Sequence, residues 1–231
     1  MDYRNRHVVV TGGTGALGTA VVGSLVEAGA TCHVPYVVAA EAERFALRDH
    51  SNVKLIECRS LSEEADVVRL YGTVSQLWAS VHLIGGFAMA PVAETTKVDL
   101  MKQVDMNFVT AFLCCRAAVN AMAARGGRIV NVAARPALEL RSGAGMVAYA
   151  ASKAAVVALT VALAEEVAKL DILVNAVAPS IMDTPANRAA MPKADHAVWP
   201  KVQEVAATIG FLASPDNKVT RGAIVPVYGK T

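Results

Sequence analysis

The 231-residue sequence predicts an α/β fold, a doubly wound parallel sheet of about seven strands with helices on both faces. Three observations predict it. Short β-branched runs alternate with longer helical patterns along the chain. Most of those runs are apolar on both faces, as strands buried inside a parallel sheet are. The first run ends in a glycine-rich turn that opens a helix, Thr11-Gly12-Gly13-Thr14-Gly15-Ala16-Leu17-Gly18.

Taken in order, strands are expected at 7–11, 31–36, 53–57, 80–84, 128–133, 172–177 and 223–227. Helices are expected between them at 16–28, 40–48, 62–76, 97–124, 146–169 and 201–213. No repeat and no low-complexity linker breaks the pattern, so residues 1–231 read as a single dinucleotide-binding domain. The one long irregular segment, about 178–200, carries Pro179, Pro185, Pro192 and Pro200. Such a loop in a compact domain is either a substrate lid or tolerated surface.

Composition narrows the function. Hydrophobic residues make up 54% and charged residues 18%, enough apolar material for a large core. The net charge of +2, without a basic block, argues against nucleic acid as a partner. The longest stretch free of Asp, Glu, Lys and Arg is 70–93, and Gly72, Gln76, His82, Gly85, Gly86 and Pro91 interrupt it. A strand ending in a glycine turn explains it better than a membrane span. The N-terminus lacks the apolar core of a signal peptide. Cys32, Cys58, Cys114 and Cys115 have no metal-ligand spacing and read as reduced packing thiols in a cytoplasmic protein without a metal. Two helical stretches, 103–124 and 146–169, are apolar nearly all round, which predicts a homo-oligomer, dimer or tetramer, built through their outer faces.

Gly12, Gly15 and Gly18 are spaced for a dinucleotide. The tight turn needs glycine, the pyrophosphate must approach the main chain, and the helix start offers free N–H groups. The expected sheet is therefore Rossmann-like. A strand-two acid would bind the adenosine ribose of NAD, but that position holds Tyr36, followed by Val37. Loss of the acid removes a repulsion against a 2′-phosphate, so between NADP and NAD the sequence leans to NADP.

Tyr149 and Lys153 lie four apart, on one face of a helix. An ammonium beside a phenol favours the phenolate, so Tyr149 is a candidate proton donor near neutral pH.

With the glycine loop, "DMNFVTAF", "GGRIVNV", "YAASK" and "LVNAVAPSIMDTP" in that order, the chain resembles a short-chain dehydrogenase/reductase. "GALG", "GGF" and "TPANRAAMPKADHAVW" make it most similar to the quinoid dihydropteridine reductase branch of that family. The resemblance implies that Tyr149 is the general acid/base and that Lys153 lowers its pKa and grips the nicotinamide ribose. It implies that Asn107 supports a water-mediated proton path to the lysine. It also assigns coenzyme contacts to Thr14, Ala16, Leu17, Ser60, Leu61, Gly85, Gly86, Pro179, Ile181 and Thr184.

The departures bear on the substrate. The family's serine, which helps polarise a carbonyl, aligns with Ala134, and Ser60 stands where an adenine-contacting Asp is usual. Losing one donor to a developing oxyanion typically costs roughly 10²–10³ in rate. A conjugated acceptor spreads the charge and tolerates the loss. The expected reaction is therefore hydride transfer to a small electrophilic carbonyl, quinoid or imine substrate. Ser142 is a replacement hydroxyl or an ordinary loop serine. Arg135 faces the substrate or points outward. Trp199 and Met191 cover a flat substrate or simply pack. His82 reads as a packed strand histidine. The competing expectation is a non-catalytic nucleotide-binding sensor or scaffold with the same fold. An epimerase of the extended relatives would need a further substrate domain, for which the length after Asn175 is too short.

Overall fold

A computed structural model describes all 231 residues. Seven parallel strands form one sheet in the order β3-β2-β1-β4-β5-β6-β7. They are β1 His7–Thr11, β2 Thr31–Tyr36, β3 Val53–Glu57, β4 Leu77–His82, β5 Gly127–Val132, β6 Ile172–Pro179 and β7 Ile224–Val227. The helices are α1 Ala16–Glu27, α2 Ala39–Arg44, α3 Glu64–Gly72, α4 Lys97–Val104 and α5 Thr110–Met122. They continue with α6 Arg135–Leu138, α7 Val147–Glu166, α8 Pro185–Ala190 and α9 Val202–Ala213.

The alternation of side chains along each strand divides the core in two. Val8 and Val10 enter one cluster with Val21, Leu25, Val205 and Ile209 from α1 and α9. Val9, between them, enters the other with Val67 and Leu70 of α3 and Cys114 and Met122 of α5. Both faces of the central strand are therefore dry, which is why the strands read as apolar on both sides. All four cysteines are free and buried, as small hydrophobes.

Three expectations need correction. The fourth strand runs from Leu77, three residues earlier than expected, because the left-handed turn at Gln76 (φ 55) starts it and Leu77 is buried. The expected helix 97–124 is not continuous. A π-turn over Asp105–Val109 splits it, with Thr110 N–H reaching back to Asp105 O. The segment 178–200 is not irregular throughout: β6 extends to Pro179, α8 follows, and Asp183 N–H bonds Pro200 O at 2.9 Å, closing the segment on itself.

The order of strands reverses between β1 and β4, since the chain winds outward through β2 and β3 and then returns to the other side of β1. Ligands of such sheets bind at the carboxyl ends of the strands flanking that switch point. The glycine loop leaves β1 there, and the Gly85-Gly86 turn follows β4 there.

Helix α7 is long and apolar enough to cross a membrane by length and composition. It instead packs along β6, α4 and α6. Its outer face leaves Val161 48% exposed, and α5 leaves Phe112 44% exposed.

Candidate active site

At the glycine loop, the backbone sets the requirements. Gly12 sits at φ 67, and a Cβ there would lie 2.9 Å from Ile84 N. A Cβ on Gly18 would collide with the Gly12 carbonyl, and one on Gly13 would press on Val34. Gly15 differs: its added Cβ would meet only Gly12 O, at 3.4 Å, so the outer side of the loop is open. Gly15 is the N-cap of α1, and no side chain caps the helix. The free N–H groups of the Ala16-Leu17-Gly18 turn therefore face that opening, which fits a pyrophosphate. Leu17 itself is buried and Ala16 exposed.

Beside the loop opens a cleft of about 1070 Å³, bounded by Val37, Val38, Ser60, Leu61, Ile84 and Gly85 among others. Ser60 and Leu61, to which the resemblance assigns coenzyme contacts, line this cleft. Ser60 Oγ is 2.8 Å from Ser62 Oγ, and Ser60 N–H bonds Asp66 at 3.0 Å, so the turn after β3 holds its own shape. Tyr36 ends β2 half-buried, and Val37 and Val38 follow it exposed.

The catalytic candidates come together on the other side of Gly85. Asn107 lies inside the π-turn and is 1% exposed. Its carboxamide pairs with both backbone groups of one residue: Oδ1 accepts from Gly86 N–H at 2.9 Å, and Nδ2 donates to Gly86 O at 3.0 Å. Nδ2 also reaches Ser152 Oγ at 3.0 Å. A Cβ on Gly85 would come within 2.6 Å of Asn107 Oδ1 and 3.1 Å of Lys153 Nζ. The glycine pair after β4 therefore admits Asn107 and Lys153 to one small volume. A π-turn buried at such a junction is a common mark of a functional site.

Lys153 and Tyr149 both project from α7, but the coupling expected between them is not formed. Lys153 Nζ donates to Val132 O at 2.8 Å instead. Burial lowers the lysine to about 8 and raises the tyrosine to about 12. In the free chain, desolvation outweighs the attraction that the four-residue spacing suggests.

The remaining expectations sort by geometry. Ala134 is buried at the start of α6, with no hydroxyl in the serine's place. Ser142 does not replace it: its Oγ donates to Glu139 O at 2.8 Å within its own turn. Arg135 is half-exposed, held by Glu139 at 2.7 Å and stacked 5.0 Å above the Tyr228 ring. Trp199 is only 6% exposed and packs on His196, so it is not an open cover for a flat substrate. Pro179 ends β6 buried, Ile181 is exposed, and Thr184 caps α8 by accepting from Asn187 N–H at 3.2 Å. His82 is a packed histidine, bonded to Asn131 at 2.8 Å and Ser80 at 2.8 Å, and burial lowers it to about 4.

Two participants escaped sequence reasoning. Ser152, buried, ties Asn107 to α7 and donates to Tyr149 O at 2.8 Å. Phe87 meets the Tyr149 ring edge-on at 5.0 Å and is 62% exposed. Its only sequence signal was an aromatic directly after the Gly85-Gly86 turn.

Residues 6–195 match the short chain dehydrogenase family model. This chain is a short-chain dehydrogenase. The dehydrogenase is 30% identical to 2,3-dihydroxy-2,3-dihydro-p-cumate dehydrogenase of Pseudomonas putida, over 96% of this chain and 92% of that one. It is 34% identical to galactitol 2-dehydrogenase of Rhizobium johnstonii, over 95% and 92% of the two chains. Its fold matches a short-chain type dehydrogenase/reductase from Mycobacterium ulcerans with a TM-score of 0.89 at 22% identity, covering 100% and 90%. The family and the glycine loop together make this dehydrogenase an NAD(P)-dependent oxidoreductase.

Proposed function

We propose that this dehydrogenase transfers hydride between NAD(P)H and a small electrophilic carbonyl, quinoid or imine substrate, with Tyr149 as the proton donor. The observation that carries the reading is the lack of a second hydroxyl: Lys153 and Asn107 converge beside Gly85, one helical turn from Tyr149, while Ala134 and the turned-away Ser142 offer no second donor. Bound at the glycine loop, Leu61 and Gly85, the coenzyme would supply or accept the hydride, and Pro179, Ile181 and Thr184 would hold its nicotinamide amide. For a carbonyl, substrate plus NAD(P)H plus one proton gives alcohol plus NAD(P)⁺. Tyr149 Oη delivers that proton to the substrate oxygen, or to nitrogen in an imine. Lys153 would hold the ribose and, once charged and turned to the phenol, would lower its pKa. Asn107 and Ser152 keep the helix wall in place.

Several features support this choice of substrate. With one donor, the acceptor must carry its added charge over several atoms. Phe87 sheds water from one side of Tyr149 and offers an exposed ring face on which a flat molecule can stack. The narrowest form, reduction of a quinoid dihydropteridine, rests on the resemblance at 184–199 and in "GALG" and "GGF". The closed 178–200 segment then forms a substrate wall within one domain spanning 1–231. The exposed apolar faces of α5 and α7 support a homo-oligomer with two-fold symmetry, and the reduced thiols fit the cytoplasm.

The test follows coenzyme absorbance across quinoid, diketone and imine panels with wild type and Tyr149→Phe. Wild type turns over at least one class, and the variant loses about 10²–10⁴-fold with its coenzyme Kd unchanged. Coenzyme binding without turnover on any panel would sink the reading.

A further inference from the structure

The end of β2 cannot recognise an adenosine ribose through an acid, because Tyr36 stands there and the exposed Val37 and Val38 follow. Helix α2 begins directly afterwards and turns one carboxylate back towards the sheet. Glu41 Oε2 accepts a hydrogen bond from Thr14 Oγ1 at 3.3 Å. Thr14 belongs to the glycine loop, immediately before the N-cap of α1. Glu41 also lines the cleft that Ser60, Leu61, Ile84 and Gly85 enclose.

These positions order the cleft. A pyrophosphate at the open side of Gly15 and an adenine against Ser60 and Leu61 leave the adenosine ribose between them, at the Glu41 carboxylate. A carboxylate accepts hydrogen bonds from vicinal hydroxyls and repels a phosphate of nearly two negative charges. We propose that Glu41, reaching in from α2, takes the ribose hydroxyls and makes this enzyme prefer the coenzyme that lacks a 2′-phosphate. The lean to NADP drawn from the strand alone assumed that no acid was present; the helix supplies one. Arg59, Lys97 and Lys102 also line the cleft. None of the three bonds the glycine loop, and a general positive field attracts either polyanionic coenzyme.

The inference rests on NAD(P) binding in this cleft, and direct titration separates the two. The full-length protein, with Glu41→Gln and Arg59→Ala variants, is titrated with NADH and with NADPH by coenzyme fluorescence. Wild type should bind NADH at least about tenfold more tightly than NADPH. Glu41→Gln should shrink that ratio at least about fivefold, chiefly by tightening NADPH, with an unchanged melting temperature because Glu41 is exposed. A wild-type preference for NADPH, or a ratio that Glu41→Gln leaves alone, overturns the proposal. If Arg59→Ala alone moves the ratio, selection lies on the β3 side and the proposal is equally overturned. Failure to bind either coenzyme would remove the site itself, and the inference with it.

Discussion

The two halves of this sheet solve their tasks with different parts of the chain. On the β1–β3 side, the coenzyme groove is shaped by backbone: Gly12, Gly13 and Gly18 exist because a Cβ has no room, and α1 starts without a cap. On the β4–β7 side, the site is shaped by side chains. Asn107 from a π-turn meets Ser152 and Lys153 from α7 at the Gly85-Gly86 turn, and Tyr149 lies one helical turn before Lys153, its ring against Phe87. Backbone sites are marked by residue spacing. Side-chain sites depend on which rotamer finds which partner, as Lys153 finds Val132 O and Ser142 finds Glu139 O.

The sharpest way to break this contrast lies within α1. Gly18→Ala would drive a methyl into the Gly12 carbonyl, whereas Gly23, in the same helix, has only Leu47 Cδ1 nearby at 3.8 Å. Gly18→Ala should weaken coenzyme binding at least about 100-fold and destabilise the fold by about 1–3 kcal/mol. Gly23→Ala should stabilise by about 0.5–1 kcal/mol through helix propensity, with coenzyme affinity unchanged. Coenzyme titration and urea unfolding of both variants check this; equal effects would erase the distinction.

Across the boundary, Gly85→Ala should lower kcat about 10–100-fold by displacing Asn107 and Lys153 from the geometry that proton transfer needs. Steady-state kinetics and a melting curve check it. An unchanged kcat would show that the glycine is there for the coenzyme alone.

Each half also buries a neutral histidine, which pH can probe. Burial lowers His82 to about 4, and burial, then His7 and Lys54, lower His33 to about 4. Between pH 6.5 and 4 the unfolded chain binds protons that the folded chain refuses. Stability is therefore complete above pH 6.5 and falls as pH drops towards 4, by up to about 3 kcal/mol for each histidine. Urea midpoints measured at about pH 7.5 and about pH 5 should differ in wild type, and His82→Gln should remove part of the slope. A flat profile would contradict the burial of both.

The smallest expected effect concerns the missing serine. Ala134→Ser should raise kcat/KM on unactivated ketones by about tenfold or less, a fraction of a full oxyanion donor. Ser142→Ala should change kcat/KM less than about twofold, because its hydroxyl is spent on its own turn. A collapse of activity in Ser142→Ala would mean that the loop rearranges to bring that hydroxyl in.

Much of this was legible in the residues alone. The strand pattern follows from short β-branched runs apolar on both faces, and the glycine loop and the Tyr149–Lys153 pair from spacings of three and four along the chain. Such regularities survive without knowledge of partners. The π-turn at 105–109 was not legible, because helix propensity continues smoothly through "VDMNFVT", and Gly86 and Ser152, which bond Asn107 there, are distant in sequence. That Trp199 packs while Phe87 stays exposed was not legible for a similar reason. An aromatic residue has no sequence mark that separates a packed ring from an exposed one.

The sequence by itself determined a parallel sheet, a glycine loop spaced for a dinucleotide and a tyrosine–lysine pair on one helix face, since each is written in local spacing that the backbone must obey. Only the tertiary structure decided that Ser142 turns away, that Arg135 is held by Glu139, and that Glu41 bonds the glycine loop. Those outcomes depend on atoms brought together from separate elements, and a side chain's hydrogen-bond partner is chosen by proximity in space rather than by order in the chain.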